Sequence, residues 1–121
     1  MTTPYQRGRS KEYKVMSILR SAGWVCSRSA MSHGPIDVFA AKDGTILVIQ
    51  VKSGKARMGR KESIIFVQWA EAFGAVGEVW QFKGRKGIER KVLHMNGNKA
   101  PLKIIYNGHK MSTNIVNHSA A

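Results

Sequence analysis

The stretch IDVFAAKDGTILVIQVK, Ile36 to Lys52, decides how this chain folds. Two apolar runs rich in β-branched residues flank Asp43-Gly44. That dipeptide is the strongest short-range hairpin signal, because both central positions of a type I′ turn need positive φ. With Asp43 and Gly44 at the centre, Lys42 faces Thr45, and counting back along both arms sets Asp37 opposite Gln50. Directly opposed residues share a face, with β-carbons about 5 Å apart. Lys52, two residues past Gln50, points the same way. The turn thus gathers a carboxylate, a carboxamide and an ammonium on one surface, beside Phe39, Ile46 and Val48. Among aliphatic side chains such groups cost free energy unless a metal, a ligand or one another satisfies them.

A chain of 121 residues with 43% hydrophobic content is expected to form one domain with its own core. Lys and Arg number 20 against 7 Asp and Glu, a formal net charge of +13, and the pI is near 10.4. This excess points to a polyanionic partner, nucleic acid ahead of an anionic membrane. A membrane is not expected, since no run of about 18 apolar residues and no basic amphipathic helix stands out. The polar, basic start lacks the apolar segment of a secretory signal. The lone Cys26 excludes a disulfide framework, suits a reducing cytoplasm and is expected to be a small core residue.

Along the chain, residues 1–9 form a basic arm with Arg7 and Arg9. A first helix is expected from Ser10 as N-cap, with Val15, Ile18, Leu19 and Ala22 at helical spacing and Gly23 as its stop. Glu12 would then fall in its first turn, where a carboxylate suits the helix dipole. Trp24-Val25-Cys26 begins a strand. A polar loop follows, in which Ser29, Ser32 or His33 can touch a ligand near Asp37. After the hairpin comes a basic connector with Lys55, Arg57, Arg60 and Lys61, expected to contact phosphates. A second amphipathic helix is expected over 62–73, its stripe of Ile65, Phe66, Trp69, Ala70 and Phe73 turned to the core. Val76 to Phe82 reads as another strand. A second basic segment holds Lys83, Arg85, Lys86, Arg90 and Lys91, followed by short edge strands over 92–95 and 102–106. The domain is expected to span 1–110, with 111–121 a flexible tail.

If the first helix packs on the hairpin face, Glu12 joins Asp37 there. Asp37 offers a hard oxygen, Gln50 an amide oxygen and Val51 its main-chain carbonyl, and Glu12 closes the set directly or through water. Oxygen ligands with retained water suit Mg²⁺. Such an ion holds a phosphodiester oxygen and lowers the pKa of bound water. Lys52 can position or deprotonate that water, or balance charge in the transition state. With basic loops around it, the set reads as a phosphodiesterase acting on DNA or RNA. The competing reading of the Asp37, Gln50 and Lys52 trio is a polar patch satisfied internally.

The order of Arg7-Gly8-Arg9-Ser10-Lys11-Glu12, Gly23-Trp24, Arg28-Ser29-Ala30, Pro35-Ile36-Asp37-Val38 and Gln50-Val51-Lys52-Ser53-Gly54-Lys55 resembles the PD-(D/E)XK nuclease superfamily. More loosely the likeness continues into the helix of Phe66, Trp69 and Phe73. Within that superfamily the chain is most similar to the archaeal and viral Holliday junction resolvases, over roughly residues 5–82. The resemblance implies an α/β domain in which helices flank a central mixed sheet, with an α-β-β-β-α-β core. It implies Glu12, Asp37, position 50 and Lys52 as the active set, with Ser32, in preference to Ser29, near the scissile phosphate. Arg7 and Arg9 would lie on the DNA backbone, with Arg28, Ser29 and the two basic segments, Lys83, Arg85 and Lys86 included, as further DNA contacts.

The expected enzyme is a homodimer that nicks opposing strands of a four-way junction with Mg²⁺, or Mn²⁺ as substitute, and leaves 5′-phosphates. It needs no organic cofactor and works in the cytoplasm of a microbe or as a virus-encoded protein. Apolar residues of the last strands are candidates for the pairing surface. The alternatives are a related nuclease for flaps, nicks or duplexes, and an inactive DNA-binding relative. One departure stands out: position 50 is Gln, where the resolvases usually carry Glu, so weaker Mg²⁺ affinity is expected.

Overall fold

The computed structural model describes residues 4–29, 34–97, 104 and 111–116, with side chains from residue 9 on. Chain order is α1 (Pro4–Ser21), β1 (Val25–Arg28), β2 (Val38–Lys42), β3 (Thr45–Ser53), α2 (Arg60–Ala72), β4 (Val76–Phe82), β5 (Ile88–His94) and β6 (Met111–Ile115). Asp43 and Gly44 have φ of 50° and 77°, the two positive values a type I′ turn requires. Lys42 pairs with Thr45 and Val38 with Ile49, so the expected hairpin register holds.

The strands form a six-stranded mixed sheet in sequence order. Neighbours are antiparallel except β3 with β4 and β5 with β6. A parallel neighbour needs a crossover, and α2 is the crossover between β3 and β4. The helices cover opposite faces. Val15, Met16, Ile18 and Leu19 of α1 pack with Val38, Ala40, Leu47, Ile49 and Trp80. Phe66 and Ala70 of α2 pack with Ile36, Val48 and Ala75. Gly77 lets α2 close in, since a β-carbon there would stand 2.9 Å from that of Ala70 and 3.0 Å from the Phe66 ring.

Several expectations are corrected. α1 opens at Pro4, not Ser10. Proline suits a first turn, where its missing N–H would be unbonded anyway. Glu12 is therefore mid-helix and far from the dipole's positive end. α1 also lies on the face away from Gln50 and Lys52, because Val38, Ala40, Leu47 and Ile49 are the strand residues it covers. Only Phe66 and Ala70 of the α2 stripe are buried; Ile65, Trp69 and Phe73 are 47%, 38% and 46% exposed. Arg90 does not belong to a solvated basic segment: it is buried in the sheet and ion-paired to Glu78 at 2.8 Å. Met111–Ile115 adds a parallel edge strand to β5 where a loose tail was expected. The strand expected over 102–106 lies outside the described residues apart from Ile104, which is buried in the α1-side core.

Candidate active site

Topology brings the expected site residues to one end of the sheet. β1 and β3 finish there and β2 starts there, since β2 is antiparallel to both. α1 begins there as well, because its other end joins the start of β1 through Gly23, whose φ is 91°. Parallel pairing sets the end of β4 beside that of β3. The loops after β3 and β4 therefore meet, with the Gly54 N–H donating to the Phe82 carbonyl at 2.9 Å. In open α/β sheets a crevice outside the carboxyl ends of the strands is where ligands bind.

Asp37 sits at the mouth of the hairpin. Its N–H donates to the Ile49 carbonyl and its own carbonyl accepts the Ser29 N–H, both at 2.9 Å. Past this point β2 has no backbone to offer β3, and Asp37 Oδ2 accepts the Val51 N–H instead, at 2.7 Å. A strand residue's N–H and C=O point the same way, so the Val51 carbonyl also faces the Asp37 side. Burial pushes the Asp37 carboxyl up to about 6; the Val51 N–H opposes this, the Glu12 charge adds to it, and Lys52 and Arg28 pull it back.

Glu12 approaches from the α1 side, around the end of the sheet. Its Oε1 accepts from Arg28 Nε at 2.8 Å. Arg28 Nη1 also donates to the Tyr13 hydroxyl at 3.2 Å. The Tyr13 ring lies 5.2 Å from the Arg28 guanidinium and 5.9 Å from that of Arg9. Hydrogen bonds from these two arginines hold the Tyr13 phenol below its usual range. Tyr13 was not singled out in the sequence, although it follows Arg9 by four residues, the spacing at which helical side chains meet.

Gln50 and Lys52 face α2. Gln50 lines a cleft of about 300 Å³ with Gly34, Pro35, Met58, Glu62 and Ile65. Its Oε1 is buried and has no hydrogen-bond partner among the described residues. Lys52 Nζ pairs with Glu62 Oε2 at 3.4 Å. Glu62 is a second residue the sequence reading missed. Its one local signal is its place in the first turn of α2, where Oε1 accepts the Gly59 N–H at 3.5 Å.

Lys55, Arg57, Arg60, Lys61, Arg85 and Lys86 are exposed around this end. Lys83 is paired to Glu89 at 2.6 Å, and Asn114 of β6 donates to the same carboxylate. Gln81, fully buried, donates from Nε2 to the carbonyls of Gly54 and Ala56, both at 3.0 Å, and so fixes the loop after Lys52. Ser29 is held through its backbone beside Asp37. Ser32, His33 and the Arg7 side chain lie outside the described residues.

The structure thus joins Asp37 to Val51, sets Lys52 and Glu12 within electrostatic reach of Asp37, and turns Gln50 into the α2-side cleft at the same end of the sheet. Among the described residues no three His, Cys, Asp or Glu side chains gather as a metal cluster. The oxygen donors that would suit a divalent ion are the Asp37 carboxylate, the Val51 carbonyl, the buried Gln50 carboxamide oxygen and, released from Arg28, Glu12. A half-buried carboxyl and an orphaned amide oxygen are both hard donors of the kind a hard cation takes.

The family model described as "Archaeal holliday junction resolvase (hjc)" matches residues 3–111. Among solved structures, that of Archaeoglobus fulgidus Hjc, described as a Holliday junction resolvase from an archaeal hyperthermophile, is similar at a TM-score of 0.59 and 28% identity. The match covers 67% of this chain and 72% of that one.

Proposed function

The chain belongs to the archaeal Holliday junction resolvase family, and from that premise we propose that it cuts four-way DNA junctions as a Mg²⁺-dependent homodimer. The observation that supports the reading is the half-buried Asp37 carboxyl, bonded to the Val51 N–H within the field of Lys52, at the sheet end where two basic loops meet. When bound, Mg²⁺ neutralises charge on a phosphodiester oxygen and acidifies an attending water. Asp37, Gln50 and the Val51 carbonyl hold the ion, and Mn²⁺ substitutes for it. A DNA phosphate reaching Arg28 competes for its guanidinium and frees Glu12 to join them. Lys52 holds the proton-accepting or charge-balancing position. Ser32 lies near the scissile phosphate. Arg7, Arg9, Arg28 and the exposed cations after β3 and β4 grip the flanking backbone.

No observation favours another DNA target or an inactive relative. No helix among the described residues is long and apolar enough to cross a membrane, and the cytoplasm of a microbial host is the proposed setting. The test is incubation of labelled four-way, flap and duplex DNA with and without Mg²⁺. Paired symmetric nicks bearing 5′-phosphates on the junction alone are expected. Lys52→Ala should cut at least about 10²-fold more slowly while binding the junction as before. Equal cutting of all three substrates, or normal cutting by the variant, contradicts the reading.

A two-fold substrate cut on two strands calls for two sites, hence two subunits. Ile64, Ile65, Trp69 and Phe73 stand 50%, 47%, 38% and 46% exposed on α2 and its end. The Phe73 ring packs edge-on against Phe39 at 5.7 Å, so the patch extends onto the hairpin. Apolar side chains grouped in this way mark an interaction surface. On the last strands Ile115 is the exposed large apolar residue among those described, so α2 is the better pairing surface. Trp69→Glu with Phe73→Glu should sediment as a folded monomer and lose paired nicking; an intact dimer would place the interface elsewhere.

A further inference from the structure

Position 50 leaves the site one charge short, and α2 offers one beside it. Asp37 and Glu12 face Arg28 and Lys52, so these four groups are together neutral and give a divalent cation little net attraction. Glu62 changes that balance. It lines the same cleft of about 300 Å³ as Gln50, with Oε2 3.4 Å from Lys52 Nζ.

Capping α2 does not account for Glu62 fully. Its bond from the Gly59 N–H is long, at 3.5 Å. Ser63 already ties the turn, through its N–H and its Oγ, each 3.0 Å from the Gly59 carbonyl. The Glu62 side chain is 55% exposed, so packing does not fix its rotamer. Gln50, meanwhile, presents a buried amide oxygen with no partner among the described residues. A strand residue that cannot carry charge and a helical carboxylate thus share one small space, and the carboxylate is paired with the site lysine.

We propose that Glu62 supplies from α2 the carboxylate that β3 lacks at position 50, acting on the divalent ion through one of the ion's water ligands. This rests on the reading that the site holds such an ion. Mg²⁺ keeps several waters when bound, so a carboxylate beyond direct contact still adds attraction and orients a water. Outer partners of this kind are typically worth about 10- to 100-fold in metal affinity. Gln at position 62 would keep an oxygen for the Gly59 N–H while losing the charge, which separates the two roles.

The measurement is Mn²⁺ binding to the DNA-free protein, by calorimetry and by the electron paramagnetic resonance of the free ion. Glu62→Gln should weaken affinity at least about 10-fold with its circular dichroism and melting temperature unchanged. Gln50→Glu should tighten it, and Gln50→Glu with Glu62→Gln should return near the wild-type value, the carboxylate having moved from helix to strand. If Glu62→Gln binds like wild type while Asp37→Asn binds nothing, the metal site stands and the role of Glu62 is refuted. A double variant as weak as Glu62→Gln alone also refutes it. If the wild type binds no Mn²⁺, or Asp37→Asn binds it equally well, the metal reading itself fails and the proposal with it.

Discussion

Asp37→Asn is expected to stabilise the metal-free protein near neutral pH and to end junction cleavage. The Asp37 carboxyl titrates at about 6 in the fold against an ordinary value of 3.8, chiefly because burial penalises its charged form. A folded pKa above the unfolded one means the native state holds its proton longer. The stability this group contributes is therefore complete below about pH 4 and lost as pH rises through about 6. Above that, the ionised carboxylate costs on the order of 2 kcal/mol, after discounting for its partial contact with solvent.

Asparagine keeps an oxygen for the Val51 N–H, bonded at 2.7 Å in the wild type, and carries no charge. Thermal unfolding in chelator should thus show the variant more stable at pH 7.5, by roughly 5 °C or more, and the two proteins equal at pH 4. Excess Mg²⁺ should then raise the wild type and leave the variant unmoved, since a ligand stabilises only the form that binds it. Cleavage should fall at least about 10²-fold, as one anchor of the ion is gone. A variant no more stable at pH 7.5 would show that the site does not hold its carboxylate against a cost.

The part of this site that the sequence disclosed is the part set by neighbours. Asp43-Gly44 dictates the turn, the turn dictates the register from Lys42–Thr45 to Val38–Ile49, and a period of two sets Gln50 and Lys52 on one face of β3, with Asp37 at the mouth of the hairpin. Which helix covers which face is a different matter. Val38, Ala40, Leu47 and Ile49 on one side and Phe39, Ile46 and Val48 on the other are both apolar, so alternation gives no sign of inside and outside. The handedness of the β3–α2–β4 crossover carries that information. It assigns α2, not α1, to the Gln50 face.

The same limit hid Glu62, whose position in the first turn of α2 looks like ordinary capping until the helix is seen to start over the end of β3. A stripe such as Ile65, Trp69 and Phe73 has one appearance whether it meets the core or another molecule. Met111–Ile115 is too polar to read as a strand, and it becomes one because β5 offers an open edge. Arg90 looked like one more cation in a basic run. Only pairing across the sheet shows that it faces Glu78.

Glu78→Ala is expected to cost about 3–5 kcal/mol of folding stability, the usual penalty for stranding one member of a buried ion pair. Glu78 and Arg90 are 0% and 2% exposed. The carboxylate accepts from Arg90 Nε and Nη2, both at 2.8 Å, and from the Trp80 indole N–H at 3.0 Å. The variant removes the Glu78 charge from a buried guanidinium and the acceptor from an indole donor, each in the core that α1 covers. A bidentate pair of this geometry is replaceable as a unit: Glu78→Leu with Arg90→Met should recover most of the loss. Urea unfolding of the single and double variants at one pH measures both. A loss under about 1 kcal/mol in Glu78→Ala would mean that water reaches the pair.

The consequence for function follows from the strand order. Glu78 stands beside Ile49 in the β3–β4 register, on the sheet face away from Gln50 and Lys52. Its loss should therefore lower the melting temperature and leave junction cutting per folded molecule intact at low temperature. Reduced cutting by fully folded Glu78→Ala would instead show that the pair helps to set the position of β3, and through it Gln50 and Lys52.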